Sequence, residues 1–356
     1  MSRRRLSKST LAVLALAIIL PGTALALPYA VSTVYERGSD YTEVAKKEDK
    51  KKEPAKLDTV AYDKKMRFLA HDVATTTSTT TPPSLWPVKA AYPLPGALFP
   101  FKRVVAYYGN FYSKGMGILG EFDKETVLAR LKQEKAAWEA ADPTTPVVMG
   151  IDYIAVTAQG SAQADGTYKL RMPDEHIQRA IDMANEIDGI VILEIQIGLS
   201  TFEKEIPLLE KYLSLPNVHL AIDPEFSMKS GDAPGDVIGT VSSADINYAA
   251  TYLQGLVQAH NLPPKILVIH RFTQNMVTGY RNITPLPEVQ MVMVMDGWGF
   301  GAKKINTYNT VIYPEPVQFT GFKIFYKNDM KPPSTRLLTP REVLDLTPSP
   351  SFIQYQ

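Results

Sequence analysis

The chain contains no cysteine. That absence excludes a disulfide framework, a zinc–thiolate centre, a thiol nucleophile and a lipoprotein-type signal, which needs a Cys at its cleavage point. Net charge is nearly absent too, with 38 Lys and Arg against 37 Asp and Glu. There is no basic field of the kind that gathers nucleic acid, and no nucleic-acid partner is expected. The apolar run near the N-terminus, Leu11 to Leu20, is too short for a comfortable membrane span. What the chain does have is 356 residues, 45% of them hydrophobic. A large domain with an ordinary core can stand without covalent staples.

The first residues have the grammar of an export signal. Arg3, Arg4, Arg5 and Lys8 precede the apolar run, Pro21 and Gly22 break it, and Ala24-Leu25-Ala26 offers a small-x-small cleavage site. Residues 1–26 are read as a signal peptide or anchor, which places the protein outside the cytoplasm, secreted or held by an uncleaved signal. Residues 27–98 are read as a disordered linker. They carry the charge run Lys46 to Glu53 and the threonine-rich stretch Ala74 to Pro83, neither of which can bury enough apolar surface to offset its ordering entropy.

From Arg103 the texture changes to short β-rich apolar runs alternating with stretches at helical spacing, the pattern of βαβ units. Strands are expected at Val104–Phe111, Val147–Val156, Ile190–Ile197, Val218–Phe226, Ile266–Phe272, Val289–Asp296, Gly321–Tyr326 and Phe352–Tyr355. Helices are expected at Lys124–Ala140, Asp174–Glu186, Phe202–Leu213, Ala244–His260, Lys303–Tyr308 and Pro340–Leu346. Eight strands with helices between them predict an α/β fold, a (β/α)8 TIM barrel spanning residues 99–356. Loop lengths agree. Helix-to-strand turns such as Asp188-Gly189 and Pro263-Pro264 are short, whereas strand-to-helix loops such as Ala158–Met172 and Ser227–Val241 are long and polar. In such a barrel all the long loops share one face, and that face carries the site.

Residues two apart on a strand share a face. Asp223 and Glu225 therefore pair late in the fourth strand, Glu194 and Gln196 in the third, Asp152 ends a face of the second, His270 of the fifth and Asp296 of the sixth. Burying ionised groups is costly unless they are paired or solvated, so this many in successive strands argue for a shared polar cavity. Plainer readings stand beside this one. Asp152 and Asp296 could bond loop amides, Glu194 could pair with Lys323 or Lys327, and His270 could be a satisfied core histidine. Two carboxylates on one face raise the pKa of one of them, which keeps an acid protonated near neutral pH. Tyr107, Tyr108, Phe111, Trp298, Tyr326 and Tyr355 crowd the same strand ends. Aromatic faces beside carboxylates suit a carbohydrate.

These residues resemble (β/α)8-barrel glycoside hydrolases, loosely the chitinase-like family. That family's fourth strand ends in Asp-x-Glu, matched here by Asp223 and Glu225; its first strand is similar to Val105 to Phe111; its sixth is similar to Met293-Val294-Met295-Asp296. Val218 and Ala221 stand where the fuller motif has two further Asp. The resemblance implies hydrolysis of a polysaccharide or cell-envelope glycan with Glu225 as general acid; Asp223 would raise its pKa, and the carboxylates of the neighbouring strands offer Glu194 or Asp296 as the second carboxylate, nucleophile or base for water. Tyr107, Tyr108, Asp152, Gln196, His270, Trp298, Tyr326 and Tyr355 are the expected substrate-binding residues, with no metal and no cofactor assigned. Two other functions fit the same residues: a metal-dependent hydrolase or isomerase using the carboxylates and His270 as hard-metal ligands, and a carbohydrate-binding barrel without turnover.

Overall fold

Each expected β-rich run is buried almost from end to end, as strands covered on both faces must be. In the computed structural model, which describes residues 56–72 and 84–356, they form eight parallel strands: β1 (Arg103–Gly109), β2 (Val147–Ala158), β3 (Ile190–Ile195), β4 (Val218–Ile222), β5 (Lys265–Arg271), β6 (Val289–Met295), β7 (Phe319–Ile324) and β8 (Phe352–Tyr355). Each pairs with the next, and β8 returns to β1 with Val104 beside Phe352, closing the sheet. The fold is a TIM barrel. The signal segment and the charged and threonine-rich stretches lie outside the described residues.

One helix falls where a tether was expected. α1 (Thr59–Leu69) starts at Asp58, whose carboxylate accepts a hydrogen bond of 3.0 Å from the Ala61 amide. Its Tyr62, Met66 and Leu69 form a buried stripe at helical spacing. The expectation of a disordered linker to residue 98 is thus corrected for these residues. Their apolar stripe is diluted by neighbouring lysines, and it gains a partner only when the barrel's base exists.

The surrounding helices include α2 (Lys124–Ala141), α3 (Asp174–Asn185) and α4 (Ser243–His260). Asp123 caps α2 by accepting from Thr126 at 2.8 Å, and Ser242 with Asp245 forms a capping box on α4. The helix expected over Phe202–Leu213 is broken into three pieces around Pro207, whose ring cannot donate to the preceding turn.

Two apolar layers result. The outer one lies between strands and helices. The inner one fills the barrel with Val104, Ala106, Ile192, Ala221, Val268, Val292 and Val294, and is sealed at its base by Tyr62 and Met66 of α1 and by Phe99. Gln290 pins this seal. Its Oε1 accepts from the amides of Leu98 and Phe99 at 2.9 and 3.1 Å, and its Nε2 donates to the Phe99 carbonyl at 2.8 Å. Packing is tight at Gly321 in β7, where a Cβ would stand 2.6 Å from Val294 Cγ2 and 2.9 Å from the Phe352 carbonyl oxygen. Gly321→Ala should therefore destabilise the fold by about 1–3 kcal/mol, read as a lowered denaturation midpoint.

Near the base, His219 is fully enclosed and its Nδ1 accepts the Ile266 amide at 3.0 Å. Burial, aided by the Lys265 ammonium, holds its pKa well below 6.5. The unfolded chain binds a proton there that the folded chain refuses, so stability is full above about 6.5 and is lost as pH falls below it. His219→Gln should flatten the stability profile from urea denaturation on that acid side.

Candidate active site

The barrel's upper lumen is polar. Each strand, or the residue just past it, supplies one polar side chain: Tyr108, Asp152, Glu194, Asp223, His270, Asp296, Lys323 and Gln354. Their contacts join strands that are not neighbours in the sheet. Tyr108 of β1 donates to Glu194 of β3 at 2.7 Å, His270 of β5 meets Glu194 at 2.9 Å, and Gln354 of β8 donates to Asp152 of β2 at 2.6 Å. Only side chains pointing into the lumen can meet across an intervening strand.

Two anions and two cations make up the charged core. His270 lies between Glu194 and Asp296, with Nε2 2.9 Å from the first and Nδ1 3.0 Å from the second. Both contacts are ion pairs between buried groups. Lys323 Nζ sits 3.1 and 3.3 Å from the two oxygens of Asp296 and 3.8 Å from the centre of the Tyr108 ring. Burial alone would raise the pKa of Glu194 and of Asp296, but the charges of His270 and Lys323 outweigh it and hold both carboxyls below their usual range. Burial likewise opposes charge on His270, and Asp296 with Glu194 overcomes it, raising the imidazole pKa well above 6.5.

The remaining carboxyls have no cation to themselves and hold protons instead. Burial and then the Glu194 charge push Asp152 up to about 8 and Asp223 well above its ordinary value. Burial and then the Asp296 charge push Glu225 up to about 7. One set of strands thus yields protonated and ionised carboxyls side by side, through burial and unequal distance from two cations.

The local path at β4 differs from a continuous strand. β4 ends at Ile222, Asp223 caps a 3-10 turn Pro224–Phe226, and its Oδ1 accepts the Glu225 amide at 2.9 Å. Pro224 has no amide to continue the ladder, so the chain turns and lifts Glu225 to the mouth. The expected shared strand face of Asp223 and Glu225 is corrected to a capped turn in which the first orients the backbone of the second. Glu225 is half-buried, and among the described residues its carboxyl has no hydrogen-bond partner.

Accessibility sorts the remaining candidates. Asp152, Glu194, His270 and Gln354 are fully enclosed, whereas Asp296 keeps 8% of its surface and Trp298, two residues on, keeps 42%. Glu194 lies deeper than Asp296, and its Oε1 accepts from Tyr108 and from Gln196, the latter at 2.9 Å. Gln196 also accepts the Ala158 amide at 3.1 Å and belongs to the lumen. Lys323 pairs with Asp296 rather than Glu194, and Lys327 pairs with Glu121 outside the site.

Three aromatic assignments are corrected. Tyr107, Tyr326 and Tyr355 do not face the mouth. They pack between the barrel and α2, with Tyr107 Oη 3.1 Å from Tyr326 Oη, the Tyr326 hydroxyl donating to Glu134, and the Tyr355 hydroxyl accepting from Trp138 at 2.9 Å. Strand parity decides this: Tyr108 and Gln354 point inward, so Tyr107 and Tyr355 must point out. Gln354 itself and the pairing of Lys323 with Asp296 escaped the reading of the sequence. Their signal was a polar residue on the inward parity of β8 and of β7.

Among the described residues no three His, Asp or Glu side chains are arranged to hold a metal ion, and the oxygens of Asp296 face an ammonium and an imidazolium instead. No helix among the described residues is long and apolar enough to cross a membrane. No protein-family model matches the chain, and no curated protein is detectably similar to it.

Proposed function

We propose that the mouth of this barrel hydrolyses glycosidic bonds, with Glu225 as general acid and Asp296 as its ionised partner. The observation that carries the reading is the division of the two most accessible carboxyls into one held protonated to about 7 and one held below its usual range. Most glycoside hydrolases work with such a pair. Glu225 gives its proton to the glycosidic oxygen as the bond to the anomeric carbon breaks. Asp296 stabilises the positive charge that develops there, and then either takes the proton of the attacking water or itself bonds the anomeric carbon. Trp298 beside Asp296 offers an aromatic face to a sugar ring. The Asp-x-Glu after the fourth strand, shared with chitinase-like proteins, supports the same assignment. The export signal read at residues 1–26 makes an extracytoplasmic glycan the natural substrate.

Release of reducing ends from a panel of polysaccharides tests the activity, and NMR of the first-formed anomer tells which role Asp296 plays. The pH profile carries a sign. Glu225 must hold its proton, so kcat/KM should decline as pH rises through about 7. A profile flat from pH 6 to pH 9 on a hydrolysed substrate would remove Glu225 as the acid.

A further inference from the structure

Strand β7 and the segments that follow β6 and β7 carry five lysines, and three of them are matched. Lys323 pairs with Asp296, Lys304 with Asp329 at 2.8 Å and Lys327 with Glu121 at 2.6 Å. Lys303 and Lys331 differ. Among the described residues their ammoniums make no ion pair, yet both are drawn to one ring, 5.1 and 5.0 Å from the centre of Trp298. Two unmatched cations so placed lie within about 10 Å of each other and repel, and an exposed cation–π contact returns only about 0.5–1 kcal/mol each. The lumen beneath offers no net counter-charge, because Glu194 and Asp296 are already met by His270 and Lys323. Phe300 and Met330, close in sequence to Trp298 and Lys331, are also exposed.

We propose that Trp298, Lys303 and Lys331 form a subsite for an acidic sugar, one whose ring meets the indole and whose carboxylate or phosphate meets the two ammoniums. This rests on the glycan reading of the mouth and adds the charge class of the substrate. Trp298 follows Asp296 by two residues of chain, on the segment that leaves β6. The positive rim also draws a polyanionic chain toward the mouth, an effect that weakens with salt.

The chain has three tryptophans, of which Trp86 and Trp138 are buried, so ligand-induced fluorescence change reports on Trp298. Titration of the full chain as Glu225→Gln, which slows turnover about a thousandfold, uses trigalacturonate, a hyaluronan hexasaccharide, mannose 6-phosphate and neutral maltotriose. At least one acidic sugar should bind at least tenfold more tightly than maltotriose at low salt, and the one that does separates carboxylate from phosphate recognition. Lys303→Gln with Lys331→Gln should remove that advantage and its salt dependence while leaving the melting temperature unchanged. Equal binding of acidic and neutral sugars, or full acidic binding by the double variant, overturns the subsite. Hydrolysis of neutral glycans alone by the wild type would keep the hydrolase and lose the subsite. Acidic-sugar binding lost in the double variant, with no hydrolysis by the wild type, would keep the subsite and lose the hydrolase.

Discussion

Glu225→Gln is expected to lower kcat on a hydrolysed glycan by about a thousandfold, within the range that removal of a positioned general acid costs. That loss corresponds to about 4 kcal/mol of transition-state stabilisation. The amide keeps the shape of the carboxyl and cannot give up a proton to the glycosidic oxygen. Binding should be nearly unchanged, because the carboxyl already holds its proton to about 7 and so presents the same polarity to substrate below that pH. A drop in kcat with KM preserved is therefore the signature, and wild-type turnover in this variant excludes the assignment. Substrates with activated leaving groups, which need no proton, should suffer least.

The second large effect is on stability. Lys323→Met should cost about 3–5 kcal/mol and lower the melting temperature by about 5–8 °C. Lys323 and Asp296 are both buried, and Lys323 touches both Asp296 oxygens. Removing the ammonium leaves one anion too many in a lumen of low polarity, and the remaining cation, His270, already serves Glu194. The double change Lys323→Met with Asp296→Leu should recover part of the loss, since a buried ion pair is replaced more cheaply than it is broken. Calorimetric melting of the two variants checks the sign. A loss in the single variant no larger than that of a surface lysine would show that the network is not a unit.

Much of this was legible in the sequence for one reason: periodicity survives in one dimension. Eight β-rich runs, short turns on one side and long polar loops on the other were enough for a closed barrel and for its functional end. The place of Asp152, Glu194, His270 and Asp296 at the end of one face of each strand was legible for the same reason, because alternation along a strand is local. Parity within a strand does not say which parity is inward, however, and that is where Tyr107, Tyr326 and Tyr355 were misplaced. Tyr107 and Tyr108 are adjacent, and only the sheet's closure, with Gln354 inward in β8, decides between them.

The sequence alone determined the barrel, its mouth and the list of acidic residues that line it, since each depends on local pattern. Tertiary structure decided what those residues are. Asp152, Asp223 and Glu225 are pushed toward the protonated form while Glu194 and Asp296 are held toward the ionised form, because His270 and Lys323, distant in sequence, come to rest beside two carboxyls and not the other three. It also decided that α1 is a helix, since its apolar stripe has nothing to bury against until the barrel's open base is formed. Charge state and burial are set by neighbours in space, and distance across a lumen is not written in distance along a chain.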